Sequence, residues 1–89
     1  MQPLLHTLHD EITLRGYAPS TRKCYVGSIE RLAKFMHPKS LDAISPTELE
    51  AYFRYLNLDK QLSRSSIAVQ LNAVNFFYRY VLQQPFEIN

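Results

Sequence analysis

Proline and glycine divide this chain into four stretches, and within each stretch apolar residues recur at every third or fourth position. That interval marks helices that bury one face. The first predicted helix runs from Pro3 to Arg15. Pro3 suits the first helical position, where an N–H is not needed, and Gly16 suits the residue just past the end. Leu5, Leu8 and Ile12 share one face, with Leu4 beside them. The second helix begins near Pro19 and runs to about Met36, ended by His37-Pro38. Its apolar face is Tyr25, Ile29, Leu32 and Met36, widened by Val26 and Ala33. Residues 39–44 form a connector from which Leu41 and Ile44 plug the core. The third helix opens with Ser45-Pro46-Thr47-Glu48, a serine N-cap with proline at N1 and glutamate at N3, which is a capping box. Leu49, Tyr52, Phe53 and Leu56 supply its buried stripe. The fourth runs from Arg64 to about Gln83 with Ser63 as cap. Ile67, Leu71, Val74, Tyr78 and Val81 line one face, and Phe76 and Tyr80 lie on the other, so its C-terminal half packs on two sides. No alternating Val/Ile/Thr run competes with this pattern. The expected fold is all-α, a compact four-helix bundle.

Eighty-nine residues suffice for one domain with a modest core. With 46% hydrophobic residues, six Tyr and five Phe, the chain is globular rather than disordered. Residues 1–84 are assigned to this domain, and Pro85-Phe86-Glu87-Ile88-Asn89 reads as the start of a linker. The lone Cys24 excludes an internal disulfide and fits a reducing compartment. No stretch approaches the roughly 20 apolar residues needed to cross a bilayer, and no signal peptide opens the chain. A soluble, cytoplasmic protein with no membrane partner is expected. The net charge of +2 permits nucleic acid as a partner without requiring it, so the placement of the cations matters more than their sum.

Two helix starts concentrate hydroxyls and cations: Tyr17-Ala18-Pro19-Ser20-Thr21-Arg22-Lys23-Cys24-Tyr25 and Leu62-Ser63-Arg64-Ser65-Ser66-Ile67. Free backbone N–H groups and the positive end of the helix dipole favour an anion there, and two such starts suggest a phosphate-gripping surface. On a helical wheel, Ser20, Lys23, Cys24, Gly27, Arg31 and Lys34 fall opposite Ile29. Gly27 costs the helix roughly 0.5–1 kcal/mol relative to alanine, and close approach of a DNA backbone is a reason to keep it. A solvated face with an incidental glycine is the plainer reading. On helix four, Ser65, Val69, Asn72, Ala73 and Phe76 fall opposite Leu71, and the small polar N-terminal half suits a major groove. Ordinary capping explains the serines equally well. Within these faces Lys23 and Arg64 are assigned to phosphate and Ser65 to base edges. Phe76, Tyr80 and Phe86 form a candidate aromatic docking patch.

Catalytic and metal chemistry finds little support. Tyr25, Tyr52 and Tyr78 sit on core stripes rather than beside an activating base. His6, His9 and His37 have no companion cluster at ligand spacing, and the His6/Asp10 pair is too small for a structural metal site. Asp10 and Glu11 are adjacent and point to different faces. There is no phosphate loop and no catalytic triad. No cofactor, metal or catalytic residue is assigned within these 89 residues.

Taken in order, a longer set of residues carries a family likeness. It comprises Gly16-Tyr17-Ala18-Pro19-Ser20-Thr21 followed by Tyr25, Ile29, Leu32 and Phe35, then Ile44-Ser45-Pro46-Thr47-Glu48-Leu49, then Ser63 to Ser66, then Leu71-Asn72-Ala73-Val74-Asn75-Phe76-Phe77-Tyr78-Arg79. The set resembles the N-terminal core-binding, SAM-like domain of tyrosine recombinases and phage integrases, nearest the integron-integrase branch. The resemblance implies a helical bundle whose second and fourth helices face duplex DNA, forming a C-shaped clamp with a catalytic domain. By position it implies DNA contact for Thr21, Lys23 and Cys24 on helix two and for Ser65, Ser66 and Val69 on helix four. Ala18 departs from a frequent serine cap, so anion binding there rests on Ser20, Thr21 and backbone. Val69 departs from a polar base-reading residue and offers apolar contact instead. The resemblance further implies a parent enzyme that cuts and rejoins DNA through a tyrosine–phosphate intermediate, with catalytic residues after Asn89 and other protomers in a synaptic complex. The rival is a helical protein–protein interaction module without DNA binding.

Overall fold

A computed structural model describes residues 3–84. Four α-helices make up the bundle: α1 (Pro3–Leu14), α2 (Pro19–Met36), α3 (Pro46–Leu58) and α4 (Arg64–Phe76). A 3₁₀ turn (Leu41–Ala43) lies between α2 and α3, and a π-helical turn (Phe77–Val81) extends α4. No strand occurs among the described residues, so the all-α expectation holds. The tail segment 85–89, including Phe86, lies outside the described residues.

Local chemistry sets most of the boundaries. At the end of α1, Gly16 takes φ +76°. Its N–H donates to the Thr13 carbonyl and that of Tyr17 to the Ile12 carbonyl. This paired arrangement closes a helix through a left-handed residue. Arg15 therefore caps α1 instead of extending it. The capping box of α3 forms as read: the Glu48 N–H donates to Ser45 Oγ (3.2 Å), and the Ser45 N–H donates to Glu48 Oε1 (3.0 Å). Lys39 Nζ pairs with the other oxygen of Glu48. Ser63 caps α4, its Oγ accepting from the Ser66 N–H at 3.2 Å.

The core gathers Leu5, Leu8 and Ile12 of α1 with Ile29 and Leu32 of α2 and Leu49, Tyr52 and Leu56 of α3. Leu41 and Ile44 plug it from the connector, as expected. α2 packs along α4 and α1, α3 packs on α4, and α1 covers the π turn. Helix four differs from its wheel. The buried residues are Gln70, Ala73, Val74, Phe76, Phe77 and Tyr78, whereas Ile67 and Leu71 are only half-buried. The expected polar face is thus corrected at two positions, because Ala73 and Phe76 face the core. The cause is the packing of α4 along α2 and of Phe76 against Tyr17 and Tyr25; the wide turn follows. The Leu82 N–H donates to the Phe77 carbonyl, five residues back, so the regular period breaks and three consecutive aromatics are buried.

Phe76 packs on Tyr17, Tyr25 and Tyr80, with ring centroids 5.4, 5.7 and 4.9 Å away. Tyr80 is half-buried under the Arg15 guanidinium, 3.6 Å above its ring. The aromatic docking patch therefore loses Phe76 as an exposed member, since aromatic packing around the end of α1 covers it.

Candidate nucleic-acid interface

α2 begins without a side-chain cap. Ala18 is extended (φ −63°, ψ 149°), Pro19 follows, and no side chain accepts from the first turn. The free N–H groups of that turn are left for water or an anion. Ser20 is exposed and Thr21 half-buried, while the Arg22 guanidinium turns back to Thr13 Oγ1 on α1 at 3.3 Å.

Beyond this first turn, α2 and α4 enclose an open groove of about 800 Å³. Lys23, Cys24, Gly27 and Arg31 enter it from α2, Ser66 and Val69 from α4, and Lys60 and Leu62 from the loop before α4. Buried Ser28, Leu56 and Gln70 form its floor. A second groove of about 840 Å³ continues along α2 past Gly27 and Arg31 to Lys34 and His37. Lys23, Cys24, Gly27, Arg31 and Lys34 of the face predicted for α2 thus line two grooves that share Gly27 and Arg31, whereas Ser20 lines neither. Arg64 lies elsewhere, in the cleft between α3 and α4 with Glu50, Arg54 and Asn57. Ser20, Thr21, Ser65 and Asn72 do not line the α2–α4 groove.

Cations outnumber carboxylates on this face. Lys23, Arg31, Lys34 and Lys60 form no ion pair with any described carboxylate. Glu30 is the acidic residue that lines both grooves. Unpaired cations on one face attract a polyanion, and short walls let it approach. Gly27 is such a wall. A Cβ built there would meet Arg31 Nη1 at 3.6 Å, an ordinary contact, so packing inside the domain does not require the glycine.

The floor is polar and ordered. Ser28 Oγ donates to the Cys24 carbonyl at 2.9 Å and accepts from Arg31 Nη2 at 3.3 Å. Tyr52 of α3 donates its hydroxyl to Gln70 Oε1 at 3.3 Å. Burial pushes the Tyr52 phenol above its ordinary value, and the nearby Arg31 charge offsets part of that rise.

A family model described as phage integrase, N-terminal SAM-like domain matches residues 4–88. The chain belongs to that family. No curated protein sequence matches it. Membership ties this SAM-like domain to site-specific recombination. No helix among its described residues is long and apolar enough to cross a membrane.

Sequence reading of the SAM-like domain missed Lys60 and Gln70. Lys60 lies in a loop that Gln61 (φ +53°) folds back toward α2, and one positive φ at a non-glycine residue leaves no mark in the sequence. Gln70 falls on none of the faces read from the sequence, and only the fold brings Tyr52 of α3 to it.

Proposed function

We propose that this SAM-like domain grips duplex DNA through the α2–α4 groove, as the core-binding half of a site-specific tyrosine recombinase or integrase. The observation that carries the reading is the set of unpaired cations, Lys23, Arg31, Lys34 and Lys60, along one glycine-notched face. Phosphates fit the cations, and the absence of a Cβ at Gly27 leaves room for a sugar–phosphate ridge. Cys24, Ser66 and Val69 lie where the groove meets its ligand, with Val69 41% exposed and offering apolar contact. Ser20, Thr21, Arg64, Ser65 and Asn72 extend the contact surface beyond the groove.

In this reading the parent enzyme acts in the cytoplasm, belongs nearest the integron-integrase branch, and cuts and rejoins DNA through a separate catalytic domain. This half supplies affinity and site choice and meets other protomers in the synaptic complex. The test is a titration of the chain with a short duplex at several salt concentrations. One small module supplies few phosphate contacts, so a Kd of about 10⁻⁴–10⁻⁶ M at physiological salt is expected, weakening steadily as salt rises. Amide resonances of α2 and α4 that stay unshifted even at low salt would sink the reading.

A further inference from the structure

Gln70 has chemistry that the grip on phosphates does not use. It is 6% exposed, yet it lines the floor of the α2–α4 groove. Its carboxamide is held at one end, where Oε1 accepts the Tyr52 hydroxyl proton at 3.3 Å. The other end, Nε2, has no hydrogen-bond partner among the described residues. It is not sealed away either: the fully enclosed side-chain atom left without a partner among the described residues is Asn75 Oδ1. The free end of Gln70 therefore opens toward the groove.

A carboxamide is ambivalent in solution, because either end can face a ligand. Here the ambiguity is removed. The Tyr52 hydroxyl donates to Oε1, which engages the oxygen end of the carboxamide. With the oxygen engaged, the planar amide presents its two N–H bonds outward. Water reaches this donor in the free domain, and an acceptor atom that enters the groove can take that water's place.

We propose that Gln70, oriented by Tyr52, is a fixed hydrogen-bond donor at the floor of the groove that reads an acceptor atom on bound DNA. The inference rests on the DNA-binding function proposed above. The acceptor is a phosphate oxygen or an acceptor on a base edge, and the Gln70 N–H pair discriminates against the exocyclic amino group of cytosine or adenine. Gly27 and Ser66 keep the walls low enough for such an atom to descend between Lys23 and Val69. Tyr52 is a positioning residue and does not itself touch the ligand.

The test uses the 89-residue chain, ¹⁵N-labelled and titrated with a short duplex. The side-chain NH₂ pair of Gln70 is assigned by its disappearance in Gln70→Leu. It is expected to shift together with the backbone amides of Lys23 and Gly27. If those backbone amides shift and the Gln70 pair does not, DNA binding stands and this proposal is overturned. If nothing shifts at low salt, both readings fall. In affinity measurements Gln70→Leu is expected to weaken binding about 3–10-fold, the worth of one hydrogen bond. Tyr52→Phe is expected to weaken it less, with the fold monitored separately by thermal melting. A loss uniform across duplex sequences assigns the acceptor to phosphate, and a sequence-dependent loss assigns it to a base edge. Folded Gln70→Leu with unchanged affinity refutes the role.

Discussion

The hydroxyl of Tyr78 donates to the carbonyl of Leu41 across 2.7 Å, joining the end of the bundle to a connector that precedes it by 37 residues. Both partners are buried, at 1% exposure each. Burial, reinforced by the charges of Asp42 and Glu48, pushes the Tyr78 phenol far above its ordinary value, so it stays neutral wherever the domain is folded. Tyr78→Phe keeps the ring but orphans the Leu41 carbonyl, and is expected to cost about 1–3 kcal/mol in urea unfolding. DNA affinity of the folded variant should match that of the parent chain, because Tyr78 does not line the α2–α4 groove.

Gly27 supplies a prediction in which stability and binding move in opposite directions. Gly27→Ala removes the helical cost of glycine and meets only an ordinary contact with Arg31, so the domain should gain about 0.5–1 kcal/mol in urea unfolding. The added methyl narrows the groove, so affinity for a short duplex should drop. A variant that is stabilised and binds as well as the parent chain would show that nothing approaches the helix at this point.

Cation deletions separate the groove from its surroundings. Lys23→Ala and Lys60→Ala should each weaken binding alike for unrelated sequences and flatten the slope of log K against log salt by about one unit. Arg64→Ala probes the α3–α4 cleft instead, and a slope change there requires DNA to wrap past α4. Circular dichroism should show all three variants folded, since the three side chains are exposed.

Core packing ranks two leucines that look alike on a helical wheel. Leu8→Ala empties a fully buried site and is expected to cost about 2–5 kcal/mol. Leu71 is only half-buried, so Leu71→Ala should cost clearly less. Equal losses in urea unfolding would place Leu71 back on the principal stripe.

Acid sensitivity traces to Glu48. The hydrogen bond from Lys39, then that from the Ser45 N–H, holds its carboxyl below the usual range. A folded value below the unfolded one means that these bonds stabilise the domain at neutral pH. Their contribution disappears as pH falls from roughly 5 through the depressed folded value. Unfolding midpoints measured across that window should decline, and Glu48→Gln should shallow the decline.

Residues that act through their own neighbourhood were legible in the chain. Ser45, Pro46 and Glu48 build their cap within four positions, Gly16 ends α1 by its own backbone freedom, and the Lys23–Lys34 face follows from one helix's period. Relationships between distant segments were not legible. Gln70 and Tyr52 stand 18 positions apart, and nothing local to either marks the bond. The face of α4 was misjudged for a related reason: Ala73 and Phe76 are covered by α2 and by the distant Tyr17 and Tyr25, which leave no mark on the wheel of α4. Whether a turn closes over four residues or five is decided by how Phe76, Phe77 and Tyr78 fit against α1, α2 and the Leu41 connector.

That five-residue closure has a directional consequence. Each residue of an α-helix carries the chain about 100° around the axis, so a turn one residue wider sends it out on a different bearing. The heading of the backbone at Gln84, whose N–H is tied to the Tyr78 carbonyl at 2.9 Å, follows from how many residues that turn encloses. Removing Arg79, the exposed member of the turn, would close it over four residues and rotate the path of residues 82–84 by more than a quarter of a revolution. The domain thus carries two separate controls: α2 and α4 shape the groove, and the length of one turn sets the bearing of the backbone at Gln84.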